Sequence, residues 1–276
     1  MFYLAIAAAV ICAICNGIAA ILQKISASRA KQAKKLDVGL LWRLVRNPLY
    51  AGGVMLDVVA GGAQLVGVRY APLFLVQSII AASVVITALI DRLILKHRMA
   101  PATYIAVILV LCGLVLLSLA AHPSTTAHIS THTKWSIILG PIPLALIGAL
   151  FARKDTTPTN VGLALVSGLA FGGTSIVGRV LILQGGLLRI LIEPLTWALV
   201  AYGVLGLLLF TLAVQRGSAT IMNAALVATQ TVLPTVVGFW LLGDHASGST
   251  MALVIAGCTV TLVGTFSVMG THREVL

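Results

Sequence analysis

Asp57 is the residue on which any chemistry in this chain would turn, because it lies near the middle of a long apolar run. An ionised carboxylate at the centre of a bilayer costs roughly 2.5–3.5 kcal/mol on insertion scales, so it must face other helices or a wet cavity. In a cavity it would take up and release a proton or hold a cation. In a dry interior it would do no more than hydrogen-bond one helix to another. Counting about 1.5 Å of rise per residue from the centre of each run places further polar groups at a similar depth. These are Asn16, Ser83, Thr174, Ser175 and Gln230, the expected companions of Asp57 around a substrate or ion. Gln64 and Gln77 fall on the outer side and would form the approach. Gly168 and Gly172, one turn apart, suit close helix packing as well as close approach of a substrate.

Two cations interrupt the runs, Lys24 and Arg179. They are candidates for gates or for contact with an anionic group; long cationic side chains also snorkel to the nearest interface. His122, His128 and His132 have no carboxylate in their segment, so no metal site is expected there. Cys12 and Cys15 lie on one helix face as small packing residues. The chain shows no Gly-x-Ser-x-Gly, no HExxH and no phosphate-binding Walker loop, so neither an enzyme nor a bound cofactor is expected.

The elements that must position these residues follow from composition. Of 276 residues, 59% are hydrophobic and 9% charged, where a soluble domain carries about 25% charged residues. This is the composition of a polytopic membrane protein, all-α, since uninterrupted apolar runs of helical length recur along the chain. Nine spans are expected, at 2–26, 48–68, 71–95, 102–121, 136–151, 160–184, 194–214, 218–241 and 250–270. Pro48, Pro72, Pro101 and Pro194 fall at or near span starts, where a missing N–H costs nothing. The fifth span is the shortest and holds Pro141 and Pro143.

The net charge of +11 sets topology and does not point to nucleic acid. With the N-terminus outside and the C-terminus inside, the inner side holds most of the Lys and Arg, including the basic stretch 27–47. The outer side keeps only Arg69, Lys134 and Arg189. The expected partners are the lipid bilayer of the cell membrane and a small-molecule or ion substrate.

The two halves also match each other at a separation of roughly 150 residues. Gly17 to Lys24 lies over Gly172 to Arg179, Pro48 over Pro194, and Ser83 over Gln230. The first four spans would then correspond to the last four. Corresponding spans lie five apart, an odd number, so the second copy must be inverted, the arrangement of many secondary transporters. The expected organisation is an N-terminal repeat at 1–121, an external loop and linking helix at 122–159, and a C-terminal repeat at 160–276.

The stretch Gly52-Gly-Val-Met-Leu-Asp57, then Gln64, then Tyr70-Ala-Pro-Leu-Phe-Leu-Val-Gln77, resembles the second and third helices of EamA-type members of the drug/metabolite transporter superfamily. Phe239-Trp-Leu-Leu-Gly-Asp244, followed by Ala256-Gly-Cys-Thr-Val-Thr-Leu-Val-Gly264, is similar to that family's "LLGE" turn and the helix after it. Nine spans, with Gly17 to Lys24 in the first, also resemble the NIPA-type magnesium transporters. Where the NIPA pattern carries a glutamate before the Ala-Pro of the third helix, this chain has Gly61. The nearest acid, Asp57, is four residues away, about one helical turn. The resemblance implies secondary transport of a small solute or metabolite by alternating access, and Asp57, from its place in the span, is the candidate protonation or cation site. The alternatives are a Mg2+ permease, a translocator of lipid-linked headgroups, and a membrane subunit that does not transport.

Overall fold

A computed structural model describes residues 2–29, 46–70, 73–94, 131–184 and 193–241, with parts of 104–116 and 252–264. Among these residues nine helices are resolved and no strand. They are α1 (Phe2–Arg29), α2 (Pro48–Tyr70), α3 (Leu73–Ala81), α4 (Ser83–Ile94), α5 (Thr131–Leu139), α6 (Pro141–Ala152), α7 (Thr157–Gln184), α8 (Pro194–Arg216) and α9 (Ala219–Leu241). Five described stretches are long and apolar enough to cross a membrane: Tyr3–Ser28, Pro48–Gly67, Thr133–Ala152, Thr157–Gly178 and Pro194–Arg216. The chain is therefore an all-α polytopic integral membrane protein. Most of the expected fourth and ninth spans lie outside the described residues. So do residues 30–45, His122 and His128, and the side chain of His132.

Two expected spans are each built from two helical pieces. The third is α3 and α4 with a turn at Ala82, where the Ala82 N–H bonds back three residues to the Ile79 carbonyl at 3.0 Å. The fifth is α5 and α6, and it is longer than expected, 20 residues over Thr133–Ala152. Its polar start reads as loop in the sequence, yet continues the helix. Pro141 has no N–H to offer the Ile137 carbonyl four residues back. The Tyr202 hydroxyl of α8 donates to that carbonyl instead, at 3.0 Å. Glycine at 140 is what admits the ring, since a Cβ there would lie 1.9 Å from the tyrosine oxygen.

α1 packs along α2, and α7 packs between α8 and α9. These contacts use small residues, which let helix backbones approach without a hydrophobic driving force. A Cβ at Gly53 would sit 3.3 Å from the Ala19 carbonyl, and one at Gly67 3.6 Å from that of Ala5, so α1 and α2 are antiparallel. Gly178, near the end of α7, touches Leu65 near the end of α2. α7 therefore runs along α2 in the same direction, and against α1. The larger core lies where α7, α8 and α9 meet, around Leu163, Leu209, Leu212 and Met222. A smaller one joins α1 to α2 and α3 around Ala9, Cys12, Ala60, Val76 and Ile80.

Candidate functional site

A cavity of ≈ 490 Å³ lies between α1, α2, α4, α7, α8 and α9. Asn16, Asp57, Gln64, Ser83, Thr174, Ser175 and Gln230 all contribute to its wall, with Asn223 from α9. The rest is apolar, including Ala20, Val54, Phe171, Leu207, Phe210 and Leu226. Asn16, Asp57 and Gln230 lie near the middle of α1, α2 and α9, which brings them to one cavity.

Asp57 is half-buried and its Oδ2 accepts a hydrogen bond from the Gln23 amide of α1. Gln23 is fully buried, and its own carbonyl oxygen has no hydrogen-bond partner among the described residues. Sequence reasoning missed this glutamine, because it falls in the C-terminal third of its helix. Its register was the available signal: Asn16 and Gln23 lie seven residues apart, two turns, and share one face.

Ser175 gathers two glutamines. Its Oγ accepts from Gln64 Nε2 at 2.7 Å and Gln77 Nε2 at 3.1 Å, and lies 3.3 Å from the Phe171 carbonyl. Gln77 itself is only 1% exposed and stands behind the cavity wall. Thr174 turns back to the same carbonyl at 2.6 Å. Gly168 and Gly172 face α9. A Cβ on Gly168 would lie 2.1 Å from the Leu226 carbonyl, and one on Gly172 3.4 Å from that of Gln230. The Gln230 carbonyl is the one that Pro234 leaves without an N–H donor in its own helix.

Lys24 lies away from the cavity. Its ammonium donates to the carbonyls of Val214 at 2.8 Å and Gly217 at 2.6 Å, at the C-terminal end of α8. Gln215 returns a bond to the Ala27 carbonyl at the end of α1, at 3.1 Å. Arg216 reaches the carbonyls of Ala152 and Lys154 at the end of α6. Three helix C-termini thus meet at one end of the protein, and each has its orphan carbonyls answered by a side chain from a neighbour. Arg179 lies in α7; its side chain is outside the described residues.

The cavity is open on one side, between α2 and α8. Val58 and Val204 line it and are nevertheless 63% and 51% exposed. Gly61, Gly62 and Gly203 line the same opening with nothing within 4 Å of a Cβ position. Toward the end held by Lys24, α8 is buried almost continuously from Leu205 to Gln215.

Compared with known proteins, residues 1–152 match the family model described as Magnesium transporter NIPA. That stretch carries Asn16, Gln23, Asp57, Gln64 and Ser83. No curated protein and no solved structure matches the chain. The match takes in more than half of the sequence, and this integral membrane protein therefore belongs to the NIPA magnesium transporter family, a family of membrane transporters.

Proposed function

We propose that the chain is a secondary transporter that carries a small solute or ion through the Asp57 cavity by alternating access. The observation that carries the reading is the Asp57 carboxylate at mid-depth on the wall of a cavity shared by both halves of the chain. The moving parts are two inverted repeats, 1–121 and 160–276, joined by 122–159. Support comes from the opposite directions of α1 and α7 and from the cavity falling between the two halves, as in transporters of that construction. Asp57 supplies the charge that binds a cation or exchanges a proton, with Asn16, Ser83, Thr174, Ser175 and Gln230 as hydrogen-bonding partners of the solute. Gln64 and Gln77 hold the outer wall. Lys24 acts as a gate at the end of α8, with Arg179 its counterpart, and the excess of basic residues puts that end in the cytoplasm.

The family's description makes Mg2+ the first solute to test. Mg2+ binds through one or two carboxylates while keeping several waters, and the cavity offers one carboxylate, side-chain oxygens and room for water. Purified protein in liposomes with an entrapped Mg2+ indicator should accumulate the ion down a gradient, and Asp57→Asn should lower that flux at least tenfold at equal protein content. A wild-type flux no greater than that of empty liposomes would remove Mg2+ as substrate. Unchanged flux in the Asn variant would remove Asp57 from the site.

A further inference from the structure

Tyr50, Asp57 and Gln64 follow one another at seven-residue intervals, two helical turns, and so share one face of α2. Each reaches a different helix. The fully buried Tyr50 pairs its hydroxyl with Thr211 Oγ1 of α8 at 2.7 Å. Gln64 donates to Ser175 Oγ of α7 at 2.7 Å. Both bonds join the first half of the chain to the second, about 10 Å to either side of Asp57 along α2. The Lys24 ammonium on the Val214 and Gly217 carbonyls reinforces the first, and Gln77 on Ser175 reinforces the second. Along the axis of α2 the cavity is therefore bridged at both ends.

Sideways it is not. Val58, Gly61 and Gly62 of α2 and Val200, Gly203 and Val204 of α8 line the opening; the three valines are exposed, and none of the glycines has a neighbour within 4 Å of a Cβ position among the described residues. The opening lies midway along two helices long and apolar enough to cross a membrane. A ligand that passes it comes from within the bilayer.

The wall says what that ligand is. Among the described residues Asp57 is its one charged side chain, and no Lys, Arg or His joins it. Gln64 and Ser175 are bonded to each other, and Asn223 to Thr87. The remaining surface is mostly apolar, the composition of a pocket for an organic molecule. A hydrated ion would use the carboxylate and leave the apolar wall idle. A phosphate-bearing headgroup would bring a negative charge that nothing in the wall neutralises. One positive charge on an alkyl chain uses both parts: the ammonium pairs with Asp57, and the chain is buried against Val54, Leu207 and Phe210.

We propose that the cavity binds single-chain alkylamines, which enter from the bilayer between α2 and α8 and seat their ammonium on Asp57. The inference rests on the reading of the cavity as the transport site and names a class of solute for it.

The test uses the protein in liposomes, irradiated with dodecylamine that carries a diazirine at the end of its chain; labelled residues are located by mass spectrometry. Labelling is expected at 58–62 and 200–204. Excess dodecylamine should reduce it at least tenfold, whereas methylamine, charge without chain, and dodecanol, chain without charge, should leave it unchanged. Trp197 is 70% exposed on α8 and outside the cavity wall, so it reports probe dissolved in the bilayer and should be indifferent to every competitor. Asp57→Asn and Gly62→Leu should each abolish the protected labelling at 200–204, and Val58→Trp replaces Gly62→Leu if that variant does not reach the membrane. Labelling that dodecylamine does not reduce, that dodecanol reduces equally, or that survives Asp57→Asn would overturn the proposal. Mg2+ flux without protected labelling would overturn it too and leave the transport reading standing. Protected labelling without flux of Mg2+ or dodecylamine would remove the transport reading and leave the amine site in place.

Discussion

The Lys24 ammonium lies 2.6 Å from the carbonyl oxygen of Gly217, 193 residues further along the chain. With the Val214 carbonyl it fixes the end of α1 against the end of α8, and Gln215 closes the pair from the other side. Lys24→Met keeps the apolar stem and removes the donor. Hydrogen bonds to charged groups contribute about 1.5–3 kcal/mol, so the variant should melt several degrees lower in a thermal-shift assay. A thiol placed at residue 223 should also become more reactive from that end of the protein. An unchanged melting temperature with unchanged reactivity would show that Lys24 holds nothing closed.

Asp57→Asn preserves shape and removes the charge change. An amide costs less to bury than an ionised carboxylate, so expression should hold while accumulation collapses. Gln23→Leu removes the amide donor to the same carboxylate and should alter apparent affinity for the solute more than maximal rate. The ratio of the two kinetic constants in liposomes is the measurement. A Gln23→Leu variant with both constants at wild-type values would mean that this bond does not position Asp57.

Gly168→Ala should fail to fold. Its Cβ would meet the Leu226 carbonyl and Thr229 Oγ1, and backbone on the other side cannot move aside as a side-chain tip can. Overpacking of this kind costs about 1–3 kcal/mol or more, visible as loss of the monodisperse peak in size-exclusion chromatography. Gly61→Ala has nothing within 4 Å and should elute like wild type.

Gly203→Leu tests the opening directly. The position is free of neighbours and lines the cavity, so a branched side chain should fill space without unfolding the helix. Flux should fall at least fivefold with the melting temperature within a few degrees of wild type. Full flux with a filled opening would place the route elsewhere.

Helix positions and polar depths were legible because the rise per residue of an α-helix is fixed and apolar runs have sharp ends. Counting along them is enough to bring Asn16, Asp57, Ser83 and Gln230 to one level. Partners were not legible where the acceptor is backbone, as for Lys24, since Val214 and Gly217 carry no side-chain signal for it. The hydrogen bonds of Thr87 with Asn223 and of Asp91 with Thr220, which join α4 to α9, carried a signal in their three- and four-residue spacing. Attention to mid-depth alone passed over it, because Asp91 lies beside Arg92 near a span end, where charge reads as topology. The extension of the fifth span was hidden for another reason. Thr, His and Lys at a membrane surface find water and headgroups while keeping helical backbone.

The opening between α2 and α8 lies midway along two helices long and apolar enough to cross a membrane, where Val58, Val200 and Val204 are exposed yet also line the cavity. In a bilayer, acyl chains would be the neighbours of that side of the compartment. A detergent micelle substitutes different chains for that wall. Affinity for the solute should then differ between detergent and membranes, and change with the length and saturation of the surrounding lipids.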